Sequence, residues 1–244
     1  MRIALSLLVL PLLAAAPALA KNSKTPPGNP CAKGNGNPCN GNNGNSGAQG
    51  NAGKERVQQG AQGPITVDAP SFTGRGAYVT QIGAGNGAIV RQTAARARAD
   101  VTQQGDRNTA DVTQRGAGAA YARTDQIGHD NGVRVTQDGV GANTLFVTQE
   151  GTGNTLAATQ TAQGAIYNGA VMKQLGHDNE MTLSQSGQEN RALLTQDGSD
   201  NKMTATQTGL NNRLAWTQQG TGLSDLGIVQ TGGHAISITQ TGGR

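Results

Sequence analysis

The 244-residue chain is long enough for one or two ordinary domains, but 37 glycines, 2% aromatic and 34% hydrophobic residues exclude a conventional core of large apolar side chains. Any folded part must pack in a regular way that needs little bulk. The net charge of +4 is too mild to imply nucleic acid by itself.

The chain opens like a secretory signal over residues 1–20. Arg2 supplies a short positive region, "IALSLLVLPLLAAA" an apolar run, and "ALA" at 18–20 a small-x-small cleavage pattern, so the mature chain is expected to begin at Lys21. The run is short and interrupted by Pro11, and no second apolar span follows, which argues against stable membrane insertion. A lipid-anchored form would need a cysteine next to the cleavage site, whereas the first is Cys31.

Residues 21–75 read as a flexible leader. "KGNGNPCNGNNGNSGAQGNAGKE" has no periodicity and too little apolar surface to offset the entropy of ordering it. Cys31 and Cys39 lie inside it. Outside the cytoplasm the expectation is a small disulfide loop between them, with unpaired or intermolecular thiols as the alternative. A metal site would need more ligands, and no histidine lies nearby.

From 76 to 244 the chain is a repeat. Glutamines recur as Gln81, Gln92, Gln103, Gln114, Gln126, Gln137, Gln149, Gln160, Gln174, Gln185, Gln196, Gln207, Gln218, Gln230 and Gln240. The commonest step is 11 residues, a short fixed period that signals stacked units. Two residues after the glutamine stands Gly in thirteen of the fifteen units, Ala94 and Ala162 being the exceptions. Two residues before it stands an apolar residue in all but Thr124, and four before it an aliphatic residue or Met. The alternation apolar, variable, apolar, Thr, Gln has period two and predicts a strand with one face in and one out. Gly then breaks the strand, and Asp, Asn and Gly supply turn chemistry. A helix is excluded, because apolar positions recur at i and i+2 and Gly recurs too often.

A finer pattern lies on top. Asn stands five residues after alternate glutamines at Asn86, Asn108, Asn131 and Asn154, while Ala97, Ala119, Ala142 and Ala165 hold that place in the units between. The true unit is therefore a strand–turn–strand pair of about 22 residues, although Asn179, Asn190, Asn201 and Asn212 blur the alternation later on. "TAQGAIYNGAVMK" between Gln160 and Gln174 reads as a longer loop. One such unit buries too few aliphatic side chains to fold alone, so the units must stack, each strand bonding its equivalent above and below. The predicted fold is an all-β, cross-β solenoid. Stacking also accounts for the glutamines: an amide on an identical amide donates to one neighbour and accepts from the other. Gln81, Gln103, Gln126, Gln149, Gln174, Gln196, Gln218 and Gln240 are expected in one column and the other seven in a second, with the turn asparagines laddered the same way.

These residues resemble the curlin repeat, the unit of curli subunits in the amyloid fibres of bacterial biofilms. The family pattern Q-x-G-x-x-N-x-A-x-x-x-Q is met in full by "QIGAGNGAIVRQ" (81–92), "QQGDRNTADVTQ" (103–114) and "QSGQENRALLTQ" (185–196). Five further copies carry a larger apolar residue for Ala: "QIGHDNGVRVTQ", "QEGTGNTLAATQ", "QLGHDNEMTLSQ", "QDGSDNKMTATQ" and "QTGLNNRLAWTQ". The resemblance implies a homopolymer on the cell surface that serves adhesion and biofilm matrix. It also implies secretion as an unfolded chain through an outer-membrane channel with periplasmic chaperones, and a second curlin as partner. The long leader with two cysteines and the bulk of Met and Trp216 leave both subunit types open, the main fibre subunit and the nucleating one.

Both solenoid ends read as open, since "APSFTGRGA" offers no lid and no amphipathic helix or charged cap follows "AISITQ" (235–240). Open strand edges are templates for further copies. Asp100, Asp111, Arg123 and Arg134, at outward positions, are read either as gatekeepers or as a plain solvated face. His129 and His177, in two "GHDN" turns, are separated by an intervening unit, too far for one ion. Arg91, Arg96, Arg98, Arg107 and Arg115 make the early repeats basic, which suggests matrix polysaccharide or DNA as a ligand, although no aromatic interleaving supports base stacking. The outward column beside the Thr column is too irregular and charged for an ice-binding face. No catalytic pair, metal cluster or phosphate loop is present in the sequence pattern, so neither enzyme activity nor a cofactor is expected. The alternative to a polymerising subunit is a monomeric solenoid that binds polysaccharide or DNA.

Overall fold

The computed structural model describes residues 55–60, 63–68 and 70–243. The signal region, Cys31 and Cys39 lie outside the described residues. Every regular element described in the unit Gly50–Arg244 is a strand. Period-two alternation sets their faces. In "RALLTQDGS", Ala192, Leu194 and Gln196 are buried while Leu193, Thr195 and Asp197 face outward.

Successive strands fall into two sheets. The first holds β2 (Arg75–Ile82), β4 (Arg96–Asp106), β6 (Ala119–His129), β8 (Asn143–Thr152), β10 (Asn168–His177), β12 (Arg191–Ser199), β14 (Arg213–Thr221) and β16 (Ala235–Gly243). The second holds β3 (Gly87–Gln92), β5 (Thr109–Gln114), β7 (Gly132–Gly139), β9 (Thr155–Ala162), β11 (Glu180–Gln188), β13 (Lys202–Leu210) and β15 (Ile228–Thr231). Neighbours are parallel and in register, with Gln126 beside Gln149, Gln174 and Gln196 in turn. The chain therefore coils, contributing one strand to each sheet per coil, as a β-solenoid. The thin core between the sheets grows along the chain. Ala99, Val101, Ala110 and Val112 fill an early coil, and Leu214 and Trp216 a late one. Trp216 is fully buried, registered between Leu194 and Ile238, so the stack absorbs its bulk.

The turns explain the glycines. Gly128 has a φ of 117°, and a Cβ there would lie 2.0 Å from the carbonyl oxygen of Gly151 in the next coil. Stacked turns leave no room for a side chain at that point. Ala94 and Ala162 hold the equivalent place without a positive φ, so their turns follow another path. Two residues beyond the glycine a second left-handed position recurs, occupied by Arg107, Asp130, Asp178, Glu189, Asp200 and Asn211.

One element departs from the sequence reading. Within the span 21–75 read as a flexible leader, β1 (Arg56–Gly60) pairs antiparallel with β16, Arg56 opposite Thr241 and Gly60 opposite Ser237. The chain then returns along the first sheet. Ile65 and Val67 are buried, Val67 over Gly169, and the Phe72 ring lies 6.2 Å from that of Tyr121. The expectation that both solenoid ends are open is thus corrected: among the described residues β2, β3 and β15 are free edges, but β16 is covered. Five residues without a repeat partner carry no period, and β1 is a strand because an unpaired edge accepts it.

Replacing Gly128 by Ala is expected to lower stability by about 2 kcal/mol or more, since it combines backbone strain with a backbone clash. Asp130→Gly, at a left-handed position with an exposed side chain, is expected to change stability by less than about 1 kcal/mol. Urea melts of freshly prepared monomer check both.

Candidate functional site

Stacking the strands in register brings all fifteen sequence-predicted glutamines into two files. In the first sheet the Gln81 amide Nε2 donates to Gln103 Oε1 (2.7 Å), Gln103 to Gln126 (2.8 Å), Gln126 to Gln149 (2.9 Å) and Gln149 to Gln174 (2.8 Å). Gln174, Gln196 and Gln218 carry the relay on to Gln240, each step 2.9 Å. In the second sheet Gln92, Gln114, Gln137, Gln160, Gln185, Gln207 and Gln230 form the same relay at 2.7–2.9 Å. Every member from Gln103 onward is buried, while Gln81 at the free edge is exposed.

The second N–H of every amide from Gln92 onward has another task. Gln126 also donates to the carbonyl of Thr109 on β5 (3.0 Å), and Gln137 on β7 to that of Tyr121 on β6 (2.8 Å). The file thus ties neighbouring coils together and, within a coil, one sheet to the other. Both N–H donors and the Oε1 of an interior glutamine are satisfied without water, which a buried amide requires.

The relay has a direction. In each file the glutamine-to-glutamine bond is donated toward the C-terminal coil. The N-terminal end therefore presents the Oε1 acceptors of Gln81 and Gln92, on which no donor falls among the described residues. At the C-terminal end the last donor of the first file, Gln240, is met by Glu55 and by the carbonyl of Ser224.

The asparagines ladder in the opposite sense. Asn131 Nδ2 donates back to Asn108 Oδ1 (3.0 Å) and forward to the carbonyl of Gly151 (2.9 Å). The file runs from Asn86 through Asn108, Asn131, Asn154 and Asn179, and the backbone N–H of Asn201 closes it on Asn179. Asn190 and Asn212 form a second file, which begins at Asn168, a residue missed in the sequence. Asn143 is missed as well: it is buried and registered with Asn168, though its Oδ1 has no hydrogen-bond partner among the described residues. The sequence reading puts Ala97, Ala119, Ala142 and Ala165 in this place; the registered residues are Ala97, Ala120, Asn143 and Asn168. A signal was present. Every asparagine in either file stands six residues before the next glutamine. Counting forward fails because added length sits in the turn.

Outside the files, the early arginines are largely neutralised. Arg91 pairs with Asp111 (2.8 Å), Arg98 with Asp100 (3.0 Å), Arg107 with Asp130 (2.7 Å) and Arg115 with Asp138 (2.8 Å). Arg123 pairs with Asp125 (2.8 Å), and Arg134 lines a groove on the second sheet. His129 lies 3.6 Å from Asp106, and Thr152 stands in register between it and His177. No group of three metal-ligating side chains occurs among the described residues. Thr124, the one polar residue in the column two before the glutamines, is buried with its Oγ1 unpartnered among the described residues.

Interior and edge rungs should differ. Gln149→Ala would leave Gln126 without an acceptor and Gln174 without a donor, and is expected to destabilise by about 2 kcal/mol or more. Gln81→Ala, at the exposed edge, is expected to cost less than about 1 kcal/mol, both read from urea midpoints. Tyr121, under Phe72, gives a pH signature. Burial, then the charge of Asp100 and the hydrogen bond the phenol donates to that carboxylate, push its pKa up to about 12. A raised phenol pKa contributes stability that is present below the unfolded value near 10 and is lost as pH climbs toward 12. Ultraviolet titration should show one tyrosine ionising near 12, returning to about 10 in denaturant.

The family described as the curlin associated repeat matches residues 105–139 and 167–209. No curated protein and no solved structure matches the chain.

Proposed function

Taking as premise that the chain belongs to the curlin-repeat family, a structural and non-enzymatic one, we propose that it is a secreted subunit that polymerises head to tail into extracellular amyloid fibres for adhesion and biofilm matrix. The observation that carries this reading is the one-way glutamine relay. A file with acceptors at one end and donors at the other is complementary to itself, so one copy's Gln240 and Gln230 can donate to the next copy's Gln81 and Gln92. Parallel, in-register strands would continue across the junction with no new geometry. The exposed apolar residues Tyr78, Val79 and Ile82 on the free β2 edge would be covered by the same step.

Residues 1–20 then serve as the signal peptide, and export proceeds through an outer-membrane channel with periplasmic chaperones. A second curlin would supply the nucleating or major counterpart. The groove of about 480 Å³ on the outer face of the second sheet supports a subsidiary role. It is lined by Ile89, Asp111, Arg134 and Ala157 among others, and would contact matrix polysaccharide in fibre or monomer. The ion-paired arginines favour DNA less.

The purified mature chain, residues 21–244, is expected to form thioflavin-positive fibrils without any cofactor. Aligned fibrils should give a meridional reflection near 4.7–4.8 Å. A chain that stays monomeric under seeding with its own sonicated aggregates would overturn the proposal.

A further inference from the structure

A head-to-tail junction joins one N-terminal face to one C-terminal face. Among the described residues the N-terminal face is free in both sheets, but the β16 edge is occupied by β1 of the same chain. How it is occupied distinguishes it from another rung. β1 is antiparallel, whereas every other pairing in either sheet is parallel. Just before it, Glu55 accepts from the amide of Gln240, from the hydroxyl of Ser224 (2.8 Å) and from the backbone N–H of Ser224 (3.2 Å). Its carboxylate stands where the relay calls for the next Oε1. An ionised carboxylate only accepts, so it ends the relay where a glutamine would pass it on.

We propose that residues 55–60 are a plug on the assembly face: β1 competes with β2 of a second copy for the β16 edge, and Glu55 takes the place of that copy's Gln81. This rests on the polymerisation reading above and adds that each junction requires the plug to leave. The plug is tethered rather than fused to the core. Among the described residues between it and β2, the buried Ile65 and Val67 and the Phe72–Tyr121 ring contact hold the segment to the first sheet. Burial opposes charge on Glu55, but the hydrogen bonds from Ser224 and Gln240 outweigh it and hold the carboxyl below its usual range. The plug is therefore in its acceptor-only form at neutral pH.

Two variants of the mature chain test this from opposite sides. Glu55→Ala removes the relay terminator and should shorten the thioflavin lag several-fold. Gln58→Cys with Thr239→Cys, directly opposed in the pairing and placed in a Cys31→Ser, Cys39→Ser background, locks the plug when oxidised. The locked chain should show a lag about ten-fold longer or more, reversed by dithiothreitol. Hydrogen exchange on the monomer reads the plug without polymerisation: amides of residues 237–241 should be protected in the wild type and less so in Glu55→Ala. Lags for both variants equal to wild type, or unprotected 237–241 amides in the wild-type monomer, would overturn the plug. If wild type and reduced variants all fail to polymerise under seeding while exchange shows the plug in place, the polymerisation reading fails and the plug stands as an end cap.

Discussion

A side-chain amide inside a dry core must find both a donor and an acceptor, and in a stack of equivalent strands it finds them on its own kind. That requirement governs the rest of this structure. A glutamine satisfied by the glutamine one coil away forces equivalent residues into register, because a one-residue slip would turn the amides to solvent and the threonines inward. Register in turn forces the turns to stack. Stacked turns then admit only glycine where one backbone presses on the next, as the carbonyl of Gly151 presses on Gly128. The glycine content that rules out a conventional core is a consequence of the ladder.

The two kinds of amide file divide the work. Within their files, glutamines donate to the glutamine of the C-terminal coil and asparagines to the asparagine of the N-terminal one. Opposed rows of amide dipoles partly cancel along the axis, so a long stack does not accumulate the field a single file would build. The glutamine file also binds sheet to sheet through its second N–H, while the asparagine file binds turn to turn. Bulk apolar packing is then free to vary. Ala and Val fill the early coils, Met and Leu the middle, Trp216 a late one, with no change of register.

Most of this architecture is legible in the sequence because its unit of measure is a residue type. Each strand is counted from its own glutamine, and Gly and Thr keep phase with it. Legibility fails where length is free to vary. The turn before Asn143 is one residue longer and that before Asn168 three residues longer than the standard five, so a forward count hides both. The pairing of Arg107 with Asp130 spans 23 residues and becomes visible only once register is known. β1 is the hardest case. "RVQQG" has neither partner nor period, and its strand conformation is conferred by the edge it meets, a tertiary effect that local propensity does not encode.

A solenoid built from one repeated rung has a problem that ordinary domains lack: the surface that ends the molecule is the same as the surface that continues it. Strand pairing alone cannot tell an internal neighbour from an external one. Any device that marks the end must break the repeat's own rule while still satisfying the groups exposed there. An antiparallel strand breaks the direction rule yet meets the backbone of β16. A carboxylate breaks the amide rule yet accepts the last N–H of Gln240. The chain draws both from a segment outside the repeat, where neither change disturbs a single rung. That placement lets the end be marked reversibly, because the segment that closes the face is held by a short apolar strap rather than by the ladder itself.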